Sequence, residues 1–189
     1  MRRKTFTSQA AAMLIFGLLS CATNRAGEDS AMYSMIYDYE NNGVQGAGFY
    51  IDGKLLGESD VHGRFMIMLD EKKEYTTEIK KSGYKTETVA FYYDPSRVLY
   101  VKMGNARQFT ALAEKSLDLR KYSEALIYVN YALELDSSKA DSLYLKAIIL
   151  NKTGRFGESS ETLSKIKRRD SNKKYIEALE MKNNKGESL

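Results

Sequence analysis

The sequence predicts an α+β protein in which a small antiparallel β-sandwich, residues 32–103, is followed by a run of α-helices, residues 105–183. Three observations carry that reading. Between residues 32 and 103 the apolar residues fall in short, partly alternating segments rich in Tyr, Val, Ile and Thr, broken five times by turn residues. From Arg107 onward the apolar spacing becomes helical, and it returns at an offset of 34 residues. Ahead of both lies a charged start and an apolar run that ends at the only cysteine of the chain.

Arg2, Arg3 and Lys4 open the sequence, and Ala10 to Leu19 (AAAMLIFGLL) form an apolar run of ten residues. That run is too short for an ordinary spanning helix and has the length of a signal-peptide core. It ends in Leu18-Leu19-Ser20-Cys21, which resembles a bacterial lipobox. The resemblance implies that residues 1–20 are a lipoprotein signal peptide, that the Cys21 thiol takes a diacylglycerol, and that cleavage leaves Cys21 as the mature N-terminus. An uncleaved anchor, or a plain secretory signal in which Cys21 is incidental, is the alternative reading. Two or three acyl chains, at about 0.8 kcal/mol per buried CH₂, hold a protein on a membrane almost irreversibly. Residues 22–31 (ATNRAGEDSA) lack apolar periodicity and, with the lipidated Cys21, form a flexible tether over 21–31.

The charge balance follows from that reading. The whole chain carries a formal +4, but residues 1–20 hold three basic and no acidic side chains, so the mature part has 26 basic against 25 acidic groups. A near-neutral chain gives no electrostatic footprint for nucleic acid. One Cys excludes an internal disulfide framework, and one Cys with one His cannot supply an ordinary zinc site, so no metal and no cofactor is expected.

Strands are expected near 33–39, 47–52, 64–69, 75–80, 86–93 and 97–103, with turns at Asn41-Asn42-Gly43, Asp52-Gly53, Asp60-Val61-His62-Gly63, Ser82-Gly83 and Asp94-Pro95-Ser96. Gly43-Val44-Gln45-Gly46-Ala47, Ile51-Asp52-Gly53-Lys54, Ser59-Asp60-Val61-His62-Gly63-Arg64-Phe65 and Lys81-Ser82-Gly83-Tyr84 together resemble the carboxypeptidase regulatory-like and PEGA-type β-domains. That resemblance implies a transthyretin-like sandwich acting as a non-catalytic accessory module, of a kind often associated with carbohydrate or protein contact. Asp60 and His62 could suggest an acid–base pair, but both sit in a tight turn and no Gly-x-Ser-x-Gly elbow exists in the chain. Tyr92, Tyr93 and Tyr100 could offer a stacking surface for sugar, although strands favour Tyr in any case.

In the helical part Ala113 and Ala147, Tyr122 and Phe156, Glu124 and Glu158, and Val129 and Leu163 stand at the 34-residue interval. Leu119-Arg120-Lys121-Tyr122-Ser123-Glu124-Ala125-Leu126, then Tyr131-Ala132-Leu133-Glu134-Leu135-Asp136, and the copy from Asp141 to Phe156 resemble tetratricopeptide repeats. An ordinary amphipathic bundle is the alternative. The resemblance implies a solenoid of about two repeats, in which Ala113, Ala125, Ala132 and Ala147 permit close helix approach. Tyr175, Ile176, Leu179 and Met181 would form a capping helix, and residues 184–189 a disordered tail. The basic cluster Lys165, Lys167, Arg168, Arg169, Lys173 and Lys174 reads as a solvated helix end. By the register of such arrays, the face open to a ligand carries Thr110, Glu114, Leu117, Asp118, Tyr144, Ile148, Asn151 and Lys152, and its expected occupant is an internal or helical peptide segment.

These readings converge on a non-enzymatic, lipid-anchored adaptor or scaffold of the bacterial cell envelope, on the periplasmic side of the inner or outer membrane or at the cell surface. Its expected partners are a protein or peptide, and the membrane through the lipid. The alternative is a carbohydrate- or peptidoglycan-binding protein that holds glycan on the β-module.

Overall fold

The structure is a computed structural model that describes residues 31–166 and 170–189. The expected signal peptide, Cys21 and nearly all of the tether therefore lie outside the described residues. The described elements are β1 (Ala31–Asp38), β2 (Gly48–Ile51), β3 (Lys54–Glu58), β4 (Arg64–Met68), β5 (Glu74–Lys80), β6 (Glu87–Tyr92) and β7 (Val98–Met103), then α1 (Ala106–Asp118), α2 (Tyr122–Leu135), α3 (Ala140–Lys152), α4 (Phe156–Ser164) and α5 (Asp170–Lys185).

The expected small antiparallel, transthyretin-like sandwich is not what forms. Two separate open sheets do, one of three strands in the order β4-β1-β7 and one of four in the order β3-β2-β5-β6. The first sheet is mixed: β1 pairs antiparallel with β4 but parallel with β7. A parallel neighbour needs a crossover instead of a hairpin, and here β2 to β6 are that crossover. Local alternation of side chains carries no trace of so distant a pairing. Strand β3 was not anticipated because its residues Lys54 to Glu58 bury little. It is the return arm of a hairpin with β2 about Asp52 and Gly53, both at positive φ, as the tightest hairpin turns require.

Alternation along the strands sends Ile36, Ile67, Val101 and Met103 of the first sheet and Phe49, Ile79 and Phe91 of the second into one shared core. Each such side chain, fully buried, contributes about 1.5–3 kcal/mol relative to exposure. The opposite face of the first sheet leaves Tyr33, Met66, Met68, Val98 and Tyr100 exposed. The turn into β4 is fixed by Asp60, whose carboxylate accepts the backbone N–H groups of His62 at 2.8 Å and Arg64 at 2.9 Å. Gly63 follows at φ +76°, and a Cβ there would lie 2.0 Å from the Ile36 carbonyl oxygen, so the turn can rest against β1 only with glycine at this position.

The helical part keeps part of the expected period without becoming a clear tetratricopeptide solenoid. Helices α1 and α3 start at Ala106 and Ala140, and α2 and α4 at Tyr122 and Phe156, both pairs at the 34-residue interval. Ala113, Ala125, Ala132 and Ala147 are all buried, as close packing demands. The array then breaks. Helix α4 has nine residues where α2 has 14, and α5 begins at Asp170, short of the position the interval requires. Ser159 stands where the array would want a small apolar residue; it is buried, and its hydroxyl donates to the Ala147 carbonyl at 2.8 Å. The capping helix is α5, which buries Ile176 and Leu179 and leaves Tyr175 and Met181 exposed.

The β-part and the helices meet at the start of α1. Asn105 caps it reciprocally with Gln108, its side chain accepting the Gln108 N–H at 3.0 Å. Phe109, 1 % exposed, packs edge-on to Tyr39 at 5.5 Å and Tyr131 at 5.3 Å. Lys85 stands 4.6 Å over the Tyr131 ring, and Arg107 pairs with Glu40 at 2.7 Å.

Candidate functional site

Helix α3 is placed by two apolar groups of side chains. Leu145 and Ile149 join Ala113, Ala125 and Val129 on one side, and Leu143 and Ala147 join Leu163, Ile166, Ile176 and Leu179 on the other. Beside the second group runs a stripe at i, i+4 and i+7, which is one helical face: Tyr144 and Ile148, partly buried against that group, and Asn151. At its N-terminal end lies a mostly apolar cleft of about 200 Å³, lined by Ala140, Asp141, Tyr144, Ile166, Tyr175 and Ile176. Tyr144 is half-buried, and burial, with the Tyr175 phenol nearby, pushes its hydroxyl above the usual phenolic range. Tyr175 is 64 % exposed on the far wall. The cleft thus offers two phenol rings over aliphatic walls, suited to packing an apolar side chain and to hydrogen bonding a backbone.

The other end of the stripe is polar. Asn151 is fully buried, and its amide donates to Asn183 Oδ1 at 2.8 Å and to the Glu187 carbonyl at 3.0 Å, while its oxygen accepts the Leu189 N–H at 2.7 Å. Lys152 donates from its ammonium group to the Leu189 carbonyl. Residues 184–189, expected as a disordered tail, are instead placed as the end of α5, a turn at Gly186 and a segment lying on α3.

The remaining face residues are divided between the surface and internal bonds. Thr110 is buried, and its hydroxyl donates to the Ala106 carbonyl and meets the Ser142 hydroxyl at 2.8 Å, so it ties α1 to α3 and is not open to a ligand. Leu117 packs against the group of Ala113, Ala125 and Val129. Glu114 and Asp118 are exposed on α1 and do not line the cleft. Of the eight expected positions only Tyr144 lines it. Asp141, Ile166, Tyr175 and Ile176 were missed as site residues, although Tyr175 and Ile176 carried a signal as members of the capping helix.

Elsewhere, the contact that joins Asp60 to His62 is the backbone N–H described above, so the pair is not arranged as carboxylate on imidazole. The N–H of Arg64, its guanidinium and the N–H of His62 hold the Asp60 carboxyl down at about 2. Tyr93 is buried, and Tyr92 and Tyr100 lie in different sheets, so these three rings do not assemble into one stacking surface. A shallower depression of about 480 Å³ lies among Leu69, Asp70, Lys72, Tyr93, Asp94, Pro95 and Ser96. Its Asp94 carboxylate is engaged by the N–H and hydroxyl of Ser96, the bonding of a turn. Among the described residues no three His, Cys, Asp or Glu side chains form a group able to hold a metal ion, and no helix is long and apolar enough to cross a membrane. In the basic cluster, Lys165 pairs with Glu161 at 2.9 Å and Lys173 with Glu177 at 4.0 Å, while residues 167–169 lie outside the described residues.

No protein-family model matches the chain, and no curated protein matches it. Among solved structures, the Bacillus anthracis TIE protein is similar over 40 % of this chain at 14 % identity, with a TM-score of 0.34. This chain spans 16 % of that protein's length, and a likeness so slight carries no argument about fold or function.

Proposed function

We propose that this chain is a non-enzymatic, lipid-anchored adaptor of the bacterial cell envelope that holds a polypeptide segment on the face shared by α3 and α5. The single observation that carries this is the cleft of Tyr144, Ile166, Tyr175 and Ile176, where an exposed aromatic ring stands over an apolar floor. Such pockets anchor one large apolar side chain of a partner, and aromatic residues supply most of the binding energy where they are well packed. The anchoring part rests on the sequence: the charged start, the ten-residue apolar run and the unique Cys21.

Tyr175→Ala removes the exposed wall without opening the core, and Tyr144→Ala removes the half-buried one. Crosslinking in intact cells, followed by mass spectrometry, identifies the partner and measures its recovery. Each substitution is expected to weaken capture by at least about 1 kcal/mol while leaving helical content unchanged. Unaltered recovery in both variants would overturn the assignment of the cleft.

A further inference from the structure

Asn151 is a buried amide that spends two of its three hydrogen bonds on backbone. Its donor meets the carbonyl of residue 187 and its acceptor meets the N–H of residue 189, at 3.0 and 2.7 Å. In extended chain the C=O of one residue and the N–H two positions on point to the same side, so one planar amide can bridge them as a neighbouring strand would. The orientation of that amide is fixed from behind. Asn183 offers Oδ1 to the Asn151 amide at 2.8 Å because its own amide is committed to the Ser159 and Ser160 hydroxyls at 2.9 and 3.2 Å. Ser159 is committed in turn to the Ala147 carbonyl. Every group behind Asn151 belongs to α3, α4 or α5, and only the two groups in front belong to the tail.

The tail itself is held loosely by its side chains. Glu187, Ser188 and Leu189 are all exposed, Leu189 by 42 %. What α3 holds is the backbone at residues 187 and 189, with the Lys152 ammonium on the Leu189 carbonyl. A site that reads backbone and ignores side chains accepts any extended segment that can present a carbonyl and, two residues later, an N–H. Proline at the second position is the one residue it must reject.

We propose that Asn151, oriented by Asn183, reads the backbone of an extended segment of a binding partner, and that residues 187–189 are the resident occupant which that segment displaces. This deepens the adaptor reading and rests on it, since Tyr144, Ile148 and Asn151 share one face: a segment anchored by a side chain in the Tyr144–Tyr175 cleft runs along α3 to Asn151. The tethered tail competes at an effective concentration on the order of millimolar, so it sets a threshold that only a segment with additional contacts passes.

The test uses a fluorescently labelled peptide with the sequence of residues 180–189 and the mature chain, residues 22–189, intact or ending at Gly186. Fluorescence anisotropy is expected to show the peptide binding the shortened chain at least about tenfold more tightly than the intact one. Leu189→Pro in the otherwise intact chain removes the N–H that Asn151 accepts without shortening the protein, and it is expected to bind the peptide more tightly than the intact chain does. A peptide with proline as its last residue is expected to lose binding to both. Equal binding to the intact and shortened chains, undiminished binding of the proline peptide, or no binding to any form overturns the proposal. Those results are independent of partner recovery in the Tyr144 and Tyr175 variants, so the cleft and the Asn151 site can fail separately.

Discussion

Phe109→Ala is expected to destabilise the whole described protein and to separate the unfolding of its two halves. The ring is buried at the first turn of α1, edge-on to Tyr39 at the end of β1 and to Tyr131 of α2, and stacked at 6.4 Å on Tyr128. Truncating a buried Phe to Ala costs about 3–5 kcal/mol, from lost transfer energy and the cavity left behind. Against a total of about 5–15 kcal/mol for an ordinary domain, that is a large share. The assay is urea unfolding of residues 22–189, followed in parallel by far-ultraviolet circular dichroism for the helices and by tyrosine fluorescence. Coincident transitions are expected for the parent chain. Earlier and non-coincident ones are expected for the variant, because Phe109 is the buried aromatic side chain that packs against both parts. Gly104 supplies a second perturbation of the same contact: a Cβ there would stand 2.5 Å from the Phe109 ring, inside any real contact distance. Gly104→Ala is therefore expected to cost about 1–3 kcal/mol by overpacking, and Phe109→Leu in the same chain to recover part of that loss, a non-additive pair. A Phe109→Ala loss below about 1 kcal/mol, or strict additivity of Gly104→Ala with Phe109→Leu, would refute the reasoning.

Two further outcomes follow from other residues. Cys21→Ala is expected to abolish incorporation of a palmitate analogue in cells and to leave residues 1–20 on the precursor, and equal labelling of both forms would end the lipoprotein reading. At Glu87, burial pushes the carboxyl above its usual range against the opposing pull of Lys85, 3.7 Å away. A raised folded-state value means that the favourable contribution is present below the ordinary glutamate value and is lost as pH rises through the raised one. Glu87→Gln is accordingly expected to raise the thermal midpoint at neutral pH and to leave it unchanged below about pH 4, and a gain of the same size at both pH values would contradict the burial argument.

What the sequence determined by itself was local. Turn chemistry placed Asp52-Gly53, Asp60 to Gly63 and Asp94-Pro95-Ser96, because positive φ and side-chain-to-backbone bonds are properties of a few adjacent residues. Apolar periodicity placed the helical region and the buried alanines, and the observed starts of four helices fall in two pairs at the 34-residue interval. Tertiary structure alone decided what depends on residues far apart. Strand β1 takes β7 as a parallel neighbour across the whole length of the β-part, which gives a mixed three-stranded sheet beside a four-stranded one where the short segments and turn breaks had suggested a small antiparallel sandwich. The short α4 and the early α5 bring Tyr175 and Ile176 to Tyr144, so the cleft draws on α5 more than on the face of α1 where half of the expected residues lie. Asn151 shows the same limit most plainly. Its place on the expected groove face of α3 was legible, but its burial was not, because the residues that cover it are 183, 187 and 189, and no pattern within α3 could reveal that the chain returns to bond there.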